Sequence, residues 1–159
     1  MLRSRHTHFS WYGLKELRQP QGAYGKSMTE SGSMKISKYQ PDDENNVLAA
    51  IKLDSNWDIL TNDKVINSYK NSLKSSITYV CHKECEFTGY IRAIQDEGIA
   101  IYVSELYVVP KWRNQKIGRS LIEQIKEDFP EITVYALSDE DVYYEKLGFR
   151  KIGSIFQVQ

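Results

Sequence analysis

The segment IAIYVSELYVV, residues 99–109, constrains the fold more than any other part of the chain. It carries apolar residues on both faces, which is typical of a central strand that helices cover on both sides of a sheet. The stretch PKWRNQKIGRSL, residues 110–121, follows at once and opens an amphipathic helix. The apolar stripe of that helix consists of Ile117, Leu121, Ile122, Ile125 and Phe129. The sequence therefore predicts a buried strand that turns directly into a helix packed on the sheet.

The patterns on either side of this unit complete a domain of the order β-α-α-β-β-β-α-β-α-β. In chain order, the other predicted elements are a strand over 35–39, helices over about 41–53 and 62–73, a hairpin over 76–96, a strand over 132–137, a short helix over about 138–148 and a last strand over 149–158. Ser138 is the expected cap of the short helix, and Gly148 is its expected end. The predicted fold class is therefore α/β, of the α+β type, with helices on the faces of a mixed sheet.

The domain is expected to begin at Met34. Residues 1–33 show no sustained period of 2 or 3.6 and are rich in Gly, Ser, Pro and Gln. They are interpreted as an N-terminal extension, and Gly32 and Ser33 ahead of a methionine also resemble a cloning junction. Residues 34–159 are long enough for one domain with a core.

Composition excludes several classes of partner. Lysine plus arginine and aspartate plus glutamate both number 21, so no net field favours nucleic acid or a membrane surface. No apolar stretch approaches the roughly 20 residues that span a bilayer, and a cytoplasmic location is expected. Cys81, His82 and Cys85 lie together, but a closed zinc site needs four ligands, so no metal is predicted.

The turn between the buried strand and its helix carries an unusual amount of positive charge. Arg113, Lys116 and Arg119 surround Gly118 at a helix N-terminus, where each cation costs about 0.3–1 kcal/mol unless an anion compensates. Helix N-termini bind phosphate through unpaired backbone N–H groups, and a glycine lets the backbone approach a ligand. We therefore expect an anion site here, although basic residues that cover a solvated turn remain the alternative.

Two motifs resemble those of a known enzyme family. LYVVPKWRNQKIGRSLIEQI, residues 106–125, is similar to motif A of the GNAT superfamily of N-acetyltransferases, and DVYYEKLGF, residues 141–149, is similar to its motif B. The resemblance implies a mostly antiparallel GNAT-like sheet, acetyl-CoA as acetyl donor, and transfer to an amine of a small molecule or peptide. A homodimer is common in the family. One departure is Lys116, which stands where the family most often has its first glycine.

The resemblance also implies which residues bind acetyl-CoA. The backbones of Val108 and Val109 are expected to pair with the pantetheine arm. The pyrophosphate is expected on the loop and helix start that comprise Arg113, Asn114, Gln115, Lys116, Ile117, Gly118, Arg119 and Ser120.

Three further residues are candidates for catalysis and acceptor binding. Tyr144 aligns with the motif B tyrosine that donates a proton to the CoA thiolate; packing beside the sulfur is the alternative. Glu105 is the only carboxylate in the motif A strand and is the candidate base, but alternation places it opposite the face from which family bases often come. A bulge would reverse that parity, and otherwise Glu105 is a structural partner of a basic residue or acts through water. Trp57, beside Asp54 and Asp58, could hold a cationic amine or be a buried aromatic.

The acceptor remains open among a polyamine, an aminoglycoside, an amino acid and a peptide N-terminus. A second class of function is a non-catalytic acyl-CoA-binding module that keeps motif A and regulates a partner. Nucleic-acid binding is disfavoured because the basic cluster is compact and lacks a continuous aromatic stripe.

Overall fold

The computed structural model describes residues 33–138, 140–156 and 158. The predicted N-terminal extension lies outside the described residues apart from Ser33. The strands are β1 (Met34–Lys38), β2 (Ile77–Lys83), β3 (Glu86–Asp96), β4 (Ala100–Val108) and β5 (Thr133–Ala136). The helices are α1 (Glu44–Ile51), α2 (Asp58–Thr61), α3 (Ile66–Ser75), α4 (Ile117–Asp128) and α5 (Asp141–Lys146), with single 3-10 turns at Pro41–Asp43, Ser55–Trp57 and Pro110–Trp112.

The five strands form one sheet in the order β1-β2-β3-β4-β5. The first four pair antiparallel, and only β4 and β5 run parallel. This arrangement confirms the predicted fold class, a mixed and mostly antiparallel sheet with helices on its faces.

Two apolar clusters cover the two faces of the sheet. One contains the inner sides of α1 and α3 with Tyr90 and Tyr107 of the sheet. The other contains the apolar stripe of α4 with Ile91, Ile101 and Val103. Strand β4 contributes to both clusters, so it is buried on both faces, as its composition predicts.

Local capping explains where several helices begin and end. The carboxylate of Asp43 accepts a hydrogen bond from the Gln40 N–H at 2.8 Å, which fixes the turn that leads into α1. Gly148 has a φ of +84° and ends α5, as predicted. Ser138 precedes α5 without capping it directly, because its hydroxyl accepts from the Glu140 N–H at 3.0 Å and Glu140 is the N-cap.

The predicted last strand over 149–158 is wrong for the described residues of that segment, which form no regular structure. Its apolar side chains, such as Ile155 and Phe156, are exposed. Alternating apolar residues predict a strand only if a sheet edge pairs with them, and in the described part of the chain the outer edge of the short β5 has no partner. None of the described helices is long and apolar enough to cross a membrane.

Candidate active site

Strand β4 has a second neighbour along only half of its length. Residues 100–103 of β4 pair with β5, and the last contact is a hydrogen bond of 3.0 Å from the Leu137 N–H to the Val103 carbonyl. Residues 104–108 continue beside β3, while the chain after β5 turns away into α5. A gap therefore opens beside the second half of β4.

Alternation along β4 decides which backbone groups face this gap. Val109 donates its N–H to the Thr88 carbonyl at 2.9 Å, so its amide is committed to the β3 side. Backbone groups alternate in direction along an antiparallel strand, so Leu106 and Val108 direct theirs to the gap. The two predicted backbone ligands are thus not equivalent, since Val108 faces the gap and Val109 faces β3. Leu106 is an additional candidate, which alternation from Val108 could have identified.

A bulge in β4 lies at the start of the gap. Arg92 pairs with Glu105 and Ala93 pairs with Val103, so Ser104 is an extra residue on the β4 side. Side chains 101 and 103 consequently face α4, whereas Tyr107 faces α1 and α3. The reversal of parity that the sequence analysis left open does occur.

Glu105 occupies a buried polar network on the α3 side of the sheet. Its Oε1 accepts from Arg92 Nε at 2.8 Å and pairs with Arg92 Nη2, and its Oε2 accepts from the hydroxyls of Tyr69 at 2.9 Å and Tyr90 at 3.0 Å. Glu105 is only 2% exposed, and these four donors match the roughly four acceptor sites of a carboxylate. The network therefore fits the alternative in which Glu105 is the structural partner of a basic residue, here Arg92. A role for Glu105 as base stays a prediction.

The network also shifts the pKa values of its other members. Burial raises the pKa of Tyr69 and of Tyr90 well above the ordinary phenol value, and the charge of Glu105 raises both further. Burial alone would lower the pKa of Arg92, but the hydrogen bond and the charge of Glu105 raise it. The two phenols therefore stay protonated and the guanidinium stays charged.

The turn after β4 contains two residues with left-handed backbone. Asn114 and Lys116 both have a φ of +63°, and Lys116 is the N-cap of α4. Lys116 thus adopts the conformation that a glycine adopts at least cost. The first helical hydrogen bond of α4 joins the Ser120 N–H to the Lys116 carbonyl at 2.9 Å. The N–H groups of residues 117–119 consequently have no acceptor within the helix.

The predicted basic ligands point in different directions. Arg119 pairs with Glu123 one turn along α4, at 2.7 Å. Arg113 turns inward, and its Nε donates to the Val108 carbonyl at 3.1 Å. Lys116 is exposed and makes no ion pair within the described residues.

A lysine that the sequence analysis missed reaches the loop from the end of β2. Lys83 donates to Gln115 Oε1 at 2.8 Å, and its ammonium lies 5.4 Å from the ring centre of Trp112. No local pattern signals this contact, because it joins residues that are 32 positions apart.

Helix α5 brings two tyrosines to the far side of the gap. The hydroxyl of Tyr143 lies against Gly118, where a side chain would collide with it. Burial raises the pKa of Tyr143 to about 12. Tyr144 is half-buried, with its ring centre 5.2 Å from that of Tyr143 and 6.4 Å from that of Phe149. No pattern in the sequence predicts this contact between Tyr143 and the start of α4.

The predicted acceptor residue Trp57 is buried. Its ring packs edge-on against Tyr107 at 5.4 Å and Tyr90 at 6.4 Å between centres, and 4% of the residue is exposed. This placement fits the buried aromatic that the sequence analysis held as the alternative. Asp58, by contrast, lies on the surface.

These groups together fit an extended ligand that ends in phosphate. The gap-facing backbone of β4 can pair with an amide-bearing arm, and the N–H groups at the start of α4 suit an anion. No cluster of three or more metal-ligating side chains occurs among residues 33–138, 140–156 and 158.

Comparison with known proteins adds three observations. Residues 42–159 match the family profile described as an acetyltransferase (GNAT) domain. Among solved structures, the aminoglycoside N-acetyltransferase AAC(6')-Iy in complex with CoA superposes with a TM-score of 0.68 at 11% identity, over 84% of this chain and 98% of that one. A search of curated proteins finds no match.

Two other solved structures share the fold. An aminoglycoside acetyltransferase from an uncultured soil metagenomic sample gives a TM-score of 0.61 at 22% identity, over 80% of this chain and 98% of that one. A GNAT family acetyltransferase from Streptococcus pneumoniae gives 0.59 at 20% identity, over 80% and 97%.

Proposed function

Because this chain belongs to the GNAT acetyltransferase family, we propose that it transfers the acetyl group of acetyl-CoA directly to a primary amine of a small molecule or peptide. The observation that carries the proposal is the half-paired β4, whose gap-facing backbone groups lead to the N–H groups at the start of α4 that have no acceptor within the helix. An acyl carrier with an amide-bearing arm and a pyrophosphate matches both halves of this surface.

The binding roles follow from the directions of the backbone groups. Leu106 and Val108 would hold the arm, and the N–H groups of residues 117–119 would hold the pyrophosphate, with Lys116 adding mobile charge. Arg119 could contribute once it leaves Glu123, a surface pair worth little. The remaining loop residues would set the backbone path of this cradle. When bound, acetyl-CoA supplies the acetyl group as an activated thioester.

We assign proton donation to the departing thiolate to Tyr144. A phenol carries a proton that it can donate to a thiolate leaving group. Tyr144 belongs to α5, which follows β5 on the opposite side of the gap from β4. The position therefore suits a group that acts from across the gap.

Glu105 is assigned a positioning role on the other side of the sheet. Its four hydrogen bonds hold Arg92, Tyr69 and Tyr90 in place beside the bulge at Ser104. A proton accepted by Glu105 would first have to break one of these bonds. Removal of the amine proton is therefore assigned to water or to the acceptor's own acid–base equilibrium.

The acceptor is assigned as a small-molecule or peptide amine. Two of the superposed structures are named as aminoglycoside acetyltransferases, which supports a small polar amine as one class. The segment 54–57 between α1 and α2 lies on the Tyr107 side of β4 and is the candidate acceptor loop. Trp57 would support the shape of this loop from within.

The direct test is thiol release from acetyl-CoA with a panel of amines, namely spermidine, kanamycin, glycine and a short unblocked peptide. Amine-dependent release with at least one of them is the expected result. Tight CoA binding in calorimetry without release by any amine would favour the alternative, a non-catalytic acyl-CoA-binding module. Absence of CoA binding would contradict both.

A further inference from the structure

Arg113 lies between strand β4 and the proposed acceptor loop, residues 54–57. Its guanidinium Nε donates to the Val108 carbonyl at 3.1 Å, and its Nη2 lies 3.9 Å from Asp54 Oδ2. Both side chains are mostly buried, with 15% and 18% of their surfaces exposed. The Arg113 guanidinium thus contacts β4 through its Nε and faces the segment 54–57 through its Nη2.

The Arg113 guanidinium is incompletely satisfied at Nη2. Arg113 Nη2 is buried and has no hydrogen-bond acceptor among the described residues, since 3.9 Å is an ion-pair distance but too long for a hydrogen bond. The Tyr107 hydroxyl is also buried without a partner there. Burial raises the pKa of Tyr107, while the Arg113 charge lowers it and the Asp54 charge raises it, so both charges act on this phenol.

The Val108 carbonyl, which accepts from Arg113, faces the gap beside β4. A carbonyl oxygen has two lone pairs, so it can accept from Arg113 and from a bound amide together, but the two donors constrain each other's direction. A shift of the guanidinium toward Asp54 would satisfy the buried Nη2. The geometry therefore allows a second arrangement that occupancy of the gap would favour.

We propose that Arg113 is a positioning residue that transmits occupancy of the cofactor gap from the Val108 carbonyl to Asp54 and so to the acceptor loop at Trp57. This inference rests on the proposed function, because it takes CoA as the occupant of the gap. It differs from the expected role of Arg113 as a phosphate ligand. In the new role the guanidinium acts between the Val108 carbonyl and Asp54 rather than on the pyrophosphate.

The test uses the full chain with 5-fluorotryptophan in place of its three tryptophans, Trp11, Trp57 and Trp112. Fluorine NMR resonances are assigned through single Trp→Phe variants, and CoA is the probe. In the wild-type chain, CoA should shift the Trp57 resonance as well as that of Trp112 in the loop. In Arg113→Gln and in Asp54→Asn, the CoA-induced shift of the Trp57 resonance should fall several-fold.

The two variants remove opposite ends of the same link, so the double variant should behave like either single one. Glutamine keeps a donor on a shorter side chain but removes the charge that faces Asp54. Arg119→Gln is the matched contrast, because it removes a neighbouring arginine that does not face the acceptor loop. It should leave the Trp57 response to bound CoA intact, even if it weakens binding.

Calorimetry with CoA separates the failure of this inference from that of the proposed function. If wild-type protein binds CoA but Trp57 does not respond, or if the response survives in both variants, the inference is wrong and the proposed function stands. If Arg113→Gln weakens CoA binding with a smaller salt dependence while Trp57 still responds, Arg113 is a phosphate ligand instead. If wild-type protein does not bind CoA, the proposed function itself fails.

Discussion

The hydroxyl of Tyr143 lies directly against Gly118, at the first turn of α4, so that a β-carbon at position 118 would overlap it. The same β-carbon would lie 3.6 Å from the Leu106 side chain, which is ordinary contact. Gly118 therefore lets β4, α4 and α5 meet beside the gap. A side chain at this position must displace a phenol before it can be accommodated.

Gly118→Ala should consequently destabilise the fold in a manner that depends on Tyr143. Overpacking costs about 1–3 kcal/mol, against a helix-propensity gain of about 1 kcal/mol for alanine. In a Tyr143→Phe background the overlapping atom is absent and the nearest ring carbon is 3.4 Å away. Urea unfolding of the four proteins should therefore show a coupling of about 1 kcal/mol or more. Equal costs of Gly118→Ala in both backgrounds would contradict the overlap.

Lys116→Gly should be more stable than Lys116→Ala by about 1 kcal/mol, because only glycine relieves the left-handed backbone. Part of this gain is offset by the larger entropy of glycine in the unfolded chain. Both variants remove the same charge, so the comparison isolates the backbone. Thermal unfolding measures the difference, and an alanine variant as stable as the glycine variant would argue against strain at a φ of +63°.

Glu105→Gln should lower the free energy of unfolding by about 3–5 kcal/mol, because it leaves the buried Arg92 without its charge partner. Removing both charges in Glu105→Gln with Arg92→Gln should cost less than the sum of the single changes. Urea unfolding measures both effects. If Glu105 is also the base, turnover per folded molecule of the glutamine variant should collapse in addition.

Tyr144→Phe should lower kcat by about 10²–10⁴-fold if the phenol donates the proton to the thiolate. CoA affinity should stay nearly constant, since the change removes one hydroxyl and no backbone contact. Tyr135→Phe is the matched control, because Tyr135 stacks on Tyr102 within the paired part of β5. Steady-state kinetics and calorimetry separate the two effects, and an unchanged kcat would remove Tyr144 from this role.

The Tyr143 phenol should make the fold sensitive to alkali. Its pKa is about 12 in the folded chain against 10.0 for an ordinary tyrosine, so the folded state keeps this proton more tightly than the unfolded state. The associated stability is complete below about pH 10 and is lost as the pH rises to about 12. Tyr143→Phe lacks this titrating phenol, so its free energy of unfolding should fall less than that of the wild type between pH 9 and pH 11. Urea unfolding across this pH range measures the difference, and an equal loss of stability in the two proteins would contradict the prediction.

Much of the fold follows from periodicity along the chain. The two-faced apolar pattern of residues 99–109 identified β4 as a central strand, and the 3.6-residue stripe after it identified α4. Gly148 marked the end of α5 through its freedom to adopt positive φ. These signals are local, since they depend on the residues within one element. The predicted strand over 149–158 was wrong because its pattern says nothing about whether an edge is available to pair with it.

The candidate site was less predictable because its geometry depends on contacts across the sheet. The bulge at Ser104 adds one residue to β4, so the Glu105 side chain lies on the other face of the sheet. Composition does not reveal such a bulge. The inward turn of Arg113 depends on the Val108 carbonyl and on Asp54, which lies in a segment far away in sequence. Lys116 stands where the family most often has a glycine, but the sequence alone does not show that a lysine there adopts positive φ. The positions of the motifs were predictable, whereas the directions of their side chains were not.

Because β4 is half-paired, the proposed recognition of the acyl donor and of the acceptor can change independently in evolution. The proposed binding at its edge uses peptide groups, which every amino acid carries, so replacements among apolar residues at 106 and 108 would leave that binding in place. The proposed acceptor segment 54–57 would instead act through particular side chains, so replacements there would change what it recognises. Under the proposed function, the acceptor specificity of related chains can therefore change while recognition of the acyl donor is kept.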